Sequence, residues 1–270
     1  MEAAFFDLDK TIVARSSSFT LARPMYRAGM VSRRTVIQSA YAQLLFVLLG
    51  ANDSRINRAK DAILALSKNW DSAEVEELVR DVIADLVEPY VYLEALELIE
   101  EHRAAGRKIY VVSSSPEEVV RPLAEHFGAD GVIATRAEIE NGRYTGRLAF
   151  YCHGDEKAAA MRDEAEREGI DLSASFAYSD ALSDLPMLEA VGMPVAVNPE
   201  RGLRRAAIER GWDVRDFSGT VRVPSTRERP EGDGAKARPW AAVLVAGTAG
   251  VIVTALLVRS FLRPRRRSVA

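Results

Sequence analysis

The chain has 270 residues, 48% of them apolar and 28% charged, which is the balance of a globular protein with room for one ordinary domain and a smaller unit. Its net charge of −3 hides a division: residues 222–270 carry ten Lys and Arg against three Asp and Glu, so that segment is +7 and residues 1–221 are −10. An acidic body argues against nucleic acid as its partner, and the single cysteine, Cys152, excludes an internal disulfide and fits a reducing compartment.

The first element is the apolar run Ala3-Ala-Phe-Phe6, stopped by Asp7 and Asp9 with Thr11 behind them, and not a secretory leader. A short apolar run ended by turn-prone polar residues reads as a buried parallel strand. Alternation carried through to Asp9 points both carboxylates to one side. Open α/β sheets bind ligands at the carboxyl ends of their strands, and two adjacent carboxylates repel. The pair therefore calls for a cation, a shared proton, or both. A strand followed by a solvated turn would present the same two residues, so this stretch alone leaves both readings open.

Roughly seventy-five residues without a convincing strand follow. Ser16-Ser17-Ser18 offers a helix start, and the apolar run from Leu44 to Leu49, closed by Gly50, is too short to span a bilayer. Asp71-Ser-Ala-Glu74 resembles a capping box and leads into the stripe Val75, Leu78, Val79, Val82, Ile83 and Leu86, ended near Pro89. Residues 15–88 read as an inserted, mostly helical cap, which leaves 1–14 and 89–221 as an α/β core.

In that core a helix around 91–104 ends near Gly106, and Lys108–Val112 is a strand that runs into Ser113-Ser114-Ser115, with Pro116 at N1 of the next helix. Val132-Ile133 begins another strand, and Asn141-Gly142 between Glu138–Glu140 and Arg143–Thr145 predicts a tight hairpin. A charged helix over about 155–168 carries Lys157 on its first turn. Ser175–Tyr178 is a strand that delivers Ser179 and Asp180, with Asp184 four residues on, and Pro194–Val197 and the stretch around Trp212 close the sheet. His102, His126 and His153 show no metal spacing, and Cys152 beside His153 is a weak dyad signal.

Residues 222–239, with Pro224, Pro230, Pro239 and mixed charges, read as a disordered linker. Trp240–Val258 then runs nineteen residues without a charge, about 28 Å as a helix, and 259–270 is a basic tail. This predicts a single membrane span with Trp240 at one interface and Arg259 at the other. Five basic residues lie on each side, so charge does not orient the span; an acidic body with no evident route across places residues 1–221 in the cytoplasm. Ala242, Ala246, Gly250 and Thr254 recur every four residues, a face small enough to pair with a second copy, although ordinary membrane-helix composition gives such stripes too.

The first motif becomes specific in company. Asp7-Leu-Asp9-Lys-Thr11, then Ser113, then Lys157, then Asp180 with Asp184 fall in order at strand ends and a helix start. A hydroxyl and an ammonium can hold phosphate oxygens, and carboxylates from two strand ends can share Mg²⁺. In these motifs the sequence resembles the haloacid-dehalogenase superfamily, in its phosphoserine-phosphatase-like branch, over residues 1 to about 218.

The resemblance implies a Rossmann-like core of parallel sheet flanked by helices, with a helical cap inserted after the first motif. It implies that Asp7 attacks phosphorus and that Asp9 protonates the leaving oxygen and later activates water. It also implies Mg²⁺ held by Asp7, the Asp9 backbone carbonyl and Asp180, with Asp184 as a further ligand or positioning a metal-bound water, and phosphoryl oxygens held by Ser113 and Lys157. The expected activity is a phosphomonoesterase acting on a small phosphorylated metabolite or, given the tail, on a phosphorylated lipid or head group.

The chain departs from phosphoserine phosphatases where they carry a glutamate for the substrate ammonium: Ser16 stands there, and no acid lies between Lys10 and Asn52. Ser113-Ser-Ser-Pro-Glu117 replaces their glycine-rich second motif, and Ser179-Asp180-Ala-Leu-Ser-Asp184 keeps both acids without the usual glycine and asparagine. A strict phosphoserine specificity is therefore not expected. A membrane-tethered scaffold that reuses the fold is the non-enzymatic alternative, and the four intact acids weigh against it.

Overall fold

The structure is a computed structural model that describes residues 1–14, 64–65, 67–86 and 90–220, with the backbone alone for 82–86. The strands are β1 (Ala3–Asp7), β2 (Lys108–Pro116), β3 (Gly131–Glu140), β4 (Arg143–Phe150), β5 (Phe176–Ser179), β6 (Met193–Val197) and β7 (Asp213–Arg215). The helices are α1 (Ser72–Leu86), α2 (Leu93–Ala104), α3 (Glu117–His126), α4 (Asp155–Glu168), α5 (Leu185–Glu189) and α6 (Arg201–Arg210). The strands form one sheet in the order β4-β3-β2-β1-β5-β6-β7, parallel except for β4.

β1 lies at the centre and every one of its residues is buried, the four apolar residues Ala3–Phe6 and Asp7 at its end, as in a strand covered on both faces. Its alternation divides the core in two. Ala4 and Phe6 join Ile109, Val111, Val120 and Leu123 under α2 and α3, whereas Ala3 and Phe5 join Tyr110, Val112, Met161 and Leu188 under α4 and α5. Phe6 stacks on Tyr178 at 4.5 Å and Phe5 on Tyr110 at 5.2 Å, so aromatic rings tie β1 to both neighbours.

The register sets the working edge. Asp7 lies opposite Val112 and Phe6 opposite Tyr178, so Asp7, Ser113 and Ser179–Asp180 arrive at the same carboxyl edge from adjacent strands. The predicted hairpin turn is Asn141-Gly142, with φ of 52° and 77°, the left-handed pair that a two-residue hairpin of type I′ requires.

α1 begins where the sequence places it: Asp71 Oδ1 accepts from the N–H of Ala73 at 3.1 Å and of Glu74 at 3.4 Å. Its Val79 belongs to the same apolar cluster as Val119 and Leu123 of α3, and Arg80 bonds Glu125 at 2.9 Å, so this last helix of the expected insert packs on the α/β layer. The rest of the expected cap, 15–63, 66 and 87–88, and the segment 221–270 with its expected span at 240–258 lie outside the described residues. Among the described residues no helix is long and apolar enough to cross a membrane.

Two expectations are corrected locally. Pro116 is the N-cap of α3 and the last residue of β2, not N1, because β2 runs on past Ser113. Alternation does not carry from Asp7 to Asp9, because β1 stops at Asp7. The chain folds back at once: Leu8 O accepts from Ile12 N and Val13 N, both at 3.0 Å, and Lys10 takes φ 64°. That tight turn, rather than strand periodicity, places Asp9.

Candidate active site

Lys157 is the centre of the arrangement. Its Nζ donates to Asp7 Oδ1 and to Asp184 Oδ2, each at 2.7 Å, and the residue is 1% exposed. It reaches there because α4 starts at Asp155 on Gly154, whose φ of 57° and ψ of −129° suit a residue without a side chain. Ala158, Met161 and Ala165 then bury the same helix face and aim Lys157 at the end of β1.

One ammonium serves two buried carboxylates, so negative charge is left over. Burial raises the pKa of Asp7, more than Lys157 lowers it, with Asp184 and Asp180 raising it further. For Lys157 burial works against the charged form, but Asp7 and Asp184 outweigh it and the pKa is raised. Asp180, 4% exposed, is pushed up to about 6, first by burial, although Lys10 Nζ lies 3.5 Å from its Oδ2.

The loop after β5 is held from behind. Ser179 Oγ donates to Asp184 Oδ2 at 2.6 Å and accepts from Ala181 N at 3.2 Å. Glu200, the N-cap of α6, donates its N–H to Asp180 O at 2.9 Å and takes the N–H of Leu182 on Oε1 at 2.8 Å. The loop after β2 is held too: Ser113 Oγ accepts from Ser115 N at 3.1 Å, and Ser115 Oγ lies 3.4 Å from Asp9 Oδ2. Ser113 is 2% exposed and Thr11 is fully buried, its Oγ1 having no hydrogen-bond partner among the described residues.

The structure thus brings all six expected site residues, Asp7, Asp9, Ser113, Lys157, Asp180 and Asp184, to one edge. Ser179, Glu200 and Ser115 are supporting residues that sequence reasoning passed over; a serine before an aspartate and a glutamate eighteen residues from its partner carry no local signal. Cys152 and His153 form no catalytic dyad: the thiol is buried and its pKa pushed up to about 12, by burial first, and Sγ lies 3.5 Å from Ile133 O.

The donor set fits a hard divalent cation. Buried carboxylate oxygens with surplus negative charge, at the ends of two strands, are what Mg²⁺ takes, with water completing its shell. Among the described residues no three acid, His or Cys side chains stand close enough to hold a metal by themselves. Asp184 has its Oδ2 engaged by Lys157 and Ser179 and Asp7 its Oδ1 by Lys157, which leaves the other oxygen of each, with Asp180, backbone and water, as what an ion could take.

The family profile of haloacid dehalogenase-like hydrolases matches residues 4–189, the span from β1 through α5. The chain belongs to that family. A probable phosphatase of Mycobacterium tuberculosis is 45% identical over 260 residues, covering 96% of this chain and 90% of its own. A phosphoserine phosphatase of the same organism is 37% identical over 219 residues, 80% of this chain and 70% of its own. A crystal structure of a Bordetella pertussis protein of unknown function shares 28% identity with a TM-score of 0.70 and covers 80% of this chain and 98% of that one. The chain is a haloacid dehalogenase-family phosphatase.

Proposed function

We propose that the protein is a Mg²⁺-dependent phosphomonoester hydrolase that works through an aspartyl-phosphate on Asp7 and is held at a membrane by its C-terminal segment. The observation that carries the chemistry is Lys157, buried between Asp7 and Asp184 at the strand ends. In this reading an Asp7 carboxylate oxygen forms a bond to phosphorus while the ester oxygen leaves, taking a proton from Asp9. Water then attacks the same phosphorus, Asp9 takes its proton, and phosphate departs with Asp7 restored. Ser113 and Lys157 hold the phosphoryl oxygens, and Lys157 also lowers the charge the substrate must approach. Mg²⁺, when bound, supplies further neutralisation to the phosphoryl oxygens and the attacking carboxylate.

A lipid phosphate or lipid head group is the second substrate class, and the exit of the chain favours it. Thr220 pairs with Tyr92, whose N–H bonds Ile12 O at 2.9 Å in the turn that follows Asp7. The carboxylate of Glu94 fixes the same stretch, accepting from Ser218 N at 2.8 Å and Gly219 N at 2.9 Å. Thr220, the last described residue, therefore lies beside the turn after Asp7, and an anchor beginning beyond it would turn the catalytic edge toward the bilayer. The match to the probable phosphatase spans 260 of the 270 residues and so takes in 240–258, whereas the phosphoserine phosphatase match covers 80% of the chain. In this reading the body is cytoplasmic, and the small-residue face of the span offers a contact to a second copy.

The test is phosphate release from amino-acid, sugar, nucleotide and lipid phosphates with Mg²⁺. Asp7→Asn keeps the shape of the side chain and should cost roughly four orders of magnitude in turnover. Beryllofluoride with Mg²⁺ should protect the wild type, and not this variant, against unfolding. Comparable hydrolysis by the amide variant would rule out the covalent route. A kcat/KM for L-phosphoserine far above all other esters would overturn the expectation drawn from Ser16.

A further inference from the structure

The pairing of β2 with β3 slips at the site. Ser113 faces Ala134, but the next paired residue of β2, Pro116, faces Thr135. Ser114 and Ser115 are therefore extra residues looped out of the ladder, and they form the loop that presents Ser113. A bulge of this kind re-aims side chains, but it also takes backbone groups out of the ladder that would have paired them.

One hydroxyl takes up two such groups. Thr135 Oγ1 donates to Ser114 O at 2.8 Å and accepts from Cys152 N at 3.1 Å, and the residue is 5% exposed. A hydroxyl has one donor and two acceptor sites, so both bonds are made together. Ser114 closes the ring from its own side, its Oγ donating to Cys152 O at 2.7 Å with His153 Nδ1 at 3.4 Å. Cys152 lies two residues before Gly154, on which α4 and Lys157 begin. Thr135 is thus a joint between the Ser113 loop and the start of the Lys157 helix, beside the direct bond from Ser114 to Cys152.

We propose that Thr135 is a positioning residue that sets Ser113 and Lys157 at the separation a phosphoryl group requires. The inference rests on the reading of Ser113 and Lys157 as phosphate ligands. Thr135→Val keeps the branched shape and removes both bonds; Thr135→Ser keeps both bonds. A residue that merely stabilised the fold would lower the melting temperature of the valine variant and leave phosphate affinity alone.

The measurement is binding of inorganic phosphate in the presence of Mg²⁺ by titration calorimetry, with kcat and KM for a chromogenic phosphate ester beside it. Thr135→Val should weaken phosphate about tenfold and raise KM in step, while Thr135→Ser stays within about twofold of the wild type. Should the valine variant fail to fold, Ser114→Ala, which removes the bonds of that hydroxyl to Cys152 O and His153 Nδ1 at the same joint, carries the test and should weaken phosphate severalfold. Wild-type phosphate affinity in folded Thr135→Val, or in Ser114→Ala if that is the variant available, overturns the proposal. Ser113→Ala separates the two levels. If it binds phosphate as tightly as the wild type, the underlying reading fails; if it weakens binding while the Thr135 and Ser114 variants do not, only the positioning role fails.

Discussion

Replacing Lys157 with methionine keeps most of the length of the side chain and deletes the one buried cation of the site among the described residues. At 2.7 Å each ion pair of Lys157 with Asp7 and Asp184 is worth about 6 kcal/mol of Coulomb energy at an effective dielectric of 20, before desolvation is set against it. Removing one partner of a buried pair typically costs about 3–5 kcal/mol, because the remaining charge stays buried without compensation. For a body of this size that corresponds to a melting temperature lower by roughly 10 °C.

The sign of the pH dependence follows from the same charges. Burial already raises the pKa of Asp7, and without the ammonium that lowers it Asp7 holds its proton still more tightly in the folded than in the unfolded chain, so the folded state binds more protons. Stability lost at pH 8 should therefore return as pH falls toward 5. Urea unfolding of Lys157→Met and wild type across that range measures it, and Lys157→Met/Asp184→Asn should recover part of the loss at pH 8. Mg²⁺ should raise the melting temperature of the single variant more than that of the wild type. A loss below about 1 kcal/mol at pH 8, or one that does not shrink on acidification, would mean that Lys157 is not the compensating charge of the site.

His102 offers an independent pH test. Its Nε2 lies 2.8 Å from Tyr178 OH in the core, and its pKa is pushed down to about 4 by burial first and then by Arg107 and Arg215. The folded state thus refuses a proton that the unfolded chain accepts near 6.5, so this residue takes away stability as pH falls from 6.5 toward 4, in all about 3 kcal/mol. His102→Gln should flatten that part of the acid limb relative to wild type in paired urea titrations, and identical limbs would refute it. Truncation after Ser225 should release an active protein that needs no detergent. Full-length protein that is already soluble without detergent would refute the anchor, and digestion of the body by protease added to intact cells would reverse the topology.

By itself the sequence determined whatever depends on neighbours along the chain. The fully apolar run before Asp7, the Asn141-Gly142 turn, the Asp71 cap of α1 and Lys157 in the first turn of α4 all rest on spacing within a few residues, and each stands in the structure at or within a residue or two of its expected place. The order of the four motifs on strand ends and a helix start likewise pointed Asp7, Asp9, Ser113, Lys157, Asp180 and Asp184 to one edge of the sheet, where they lie. Only the tertiary structure decided which of them touch. That Asp184 faces Lys157 and Ser179, that Asp9 is set by the turn after Leu8 rather than by strand alternation, and that Glu200 braces the Asp180 loop are outcomes of packing. The bulge at Ser114–Ser115 and the bonds of Thr135 belong to the same class, because a register slip between strands β2 and β3 changes no local pattern in either. Buried charges and unpaired backbone groups must find partners wherever the fold brings them, and for Lys157 and Asp7 the partner lies 150 residues away in the chain, beyond the reach of any periodicity.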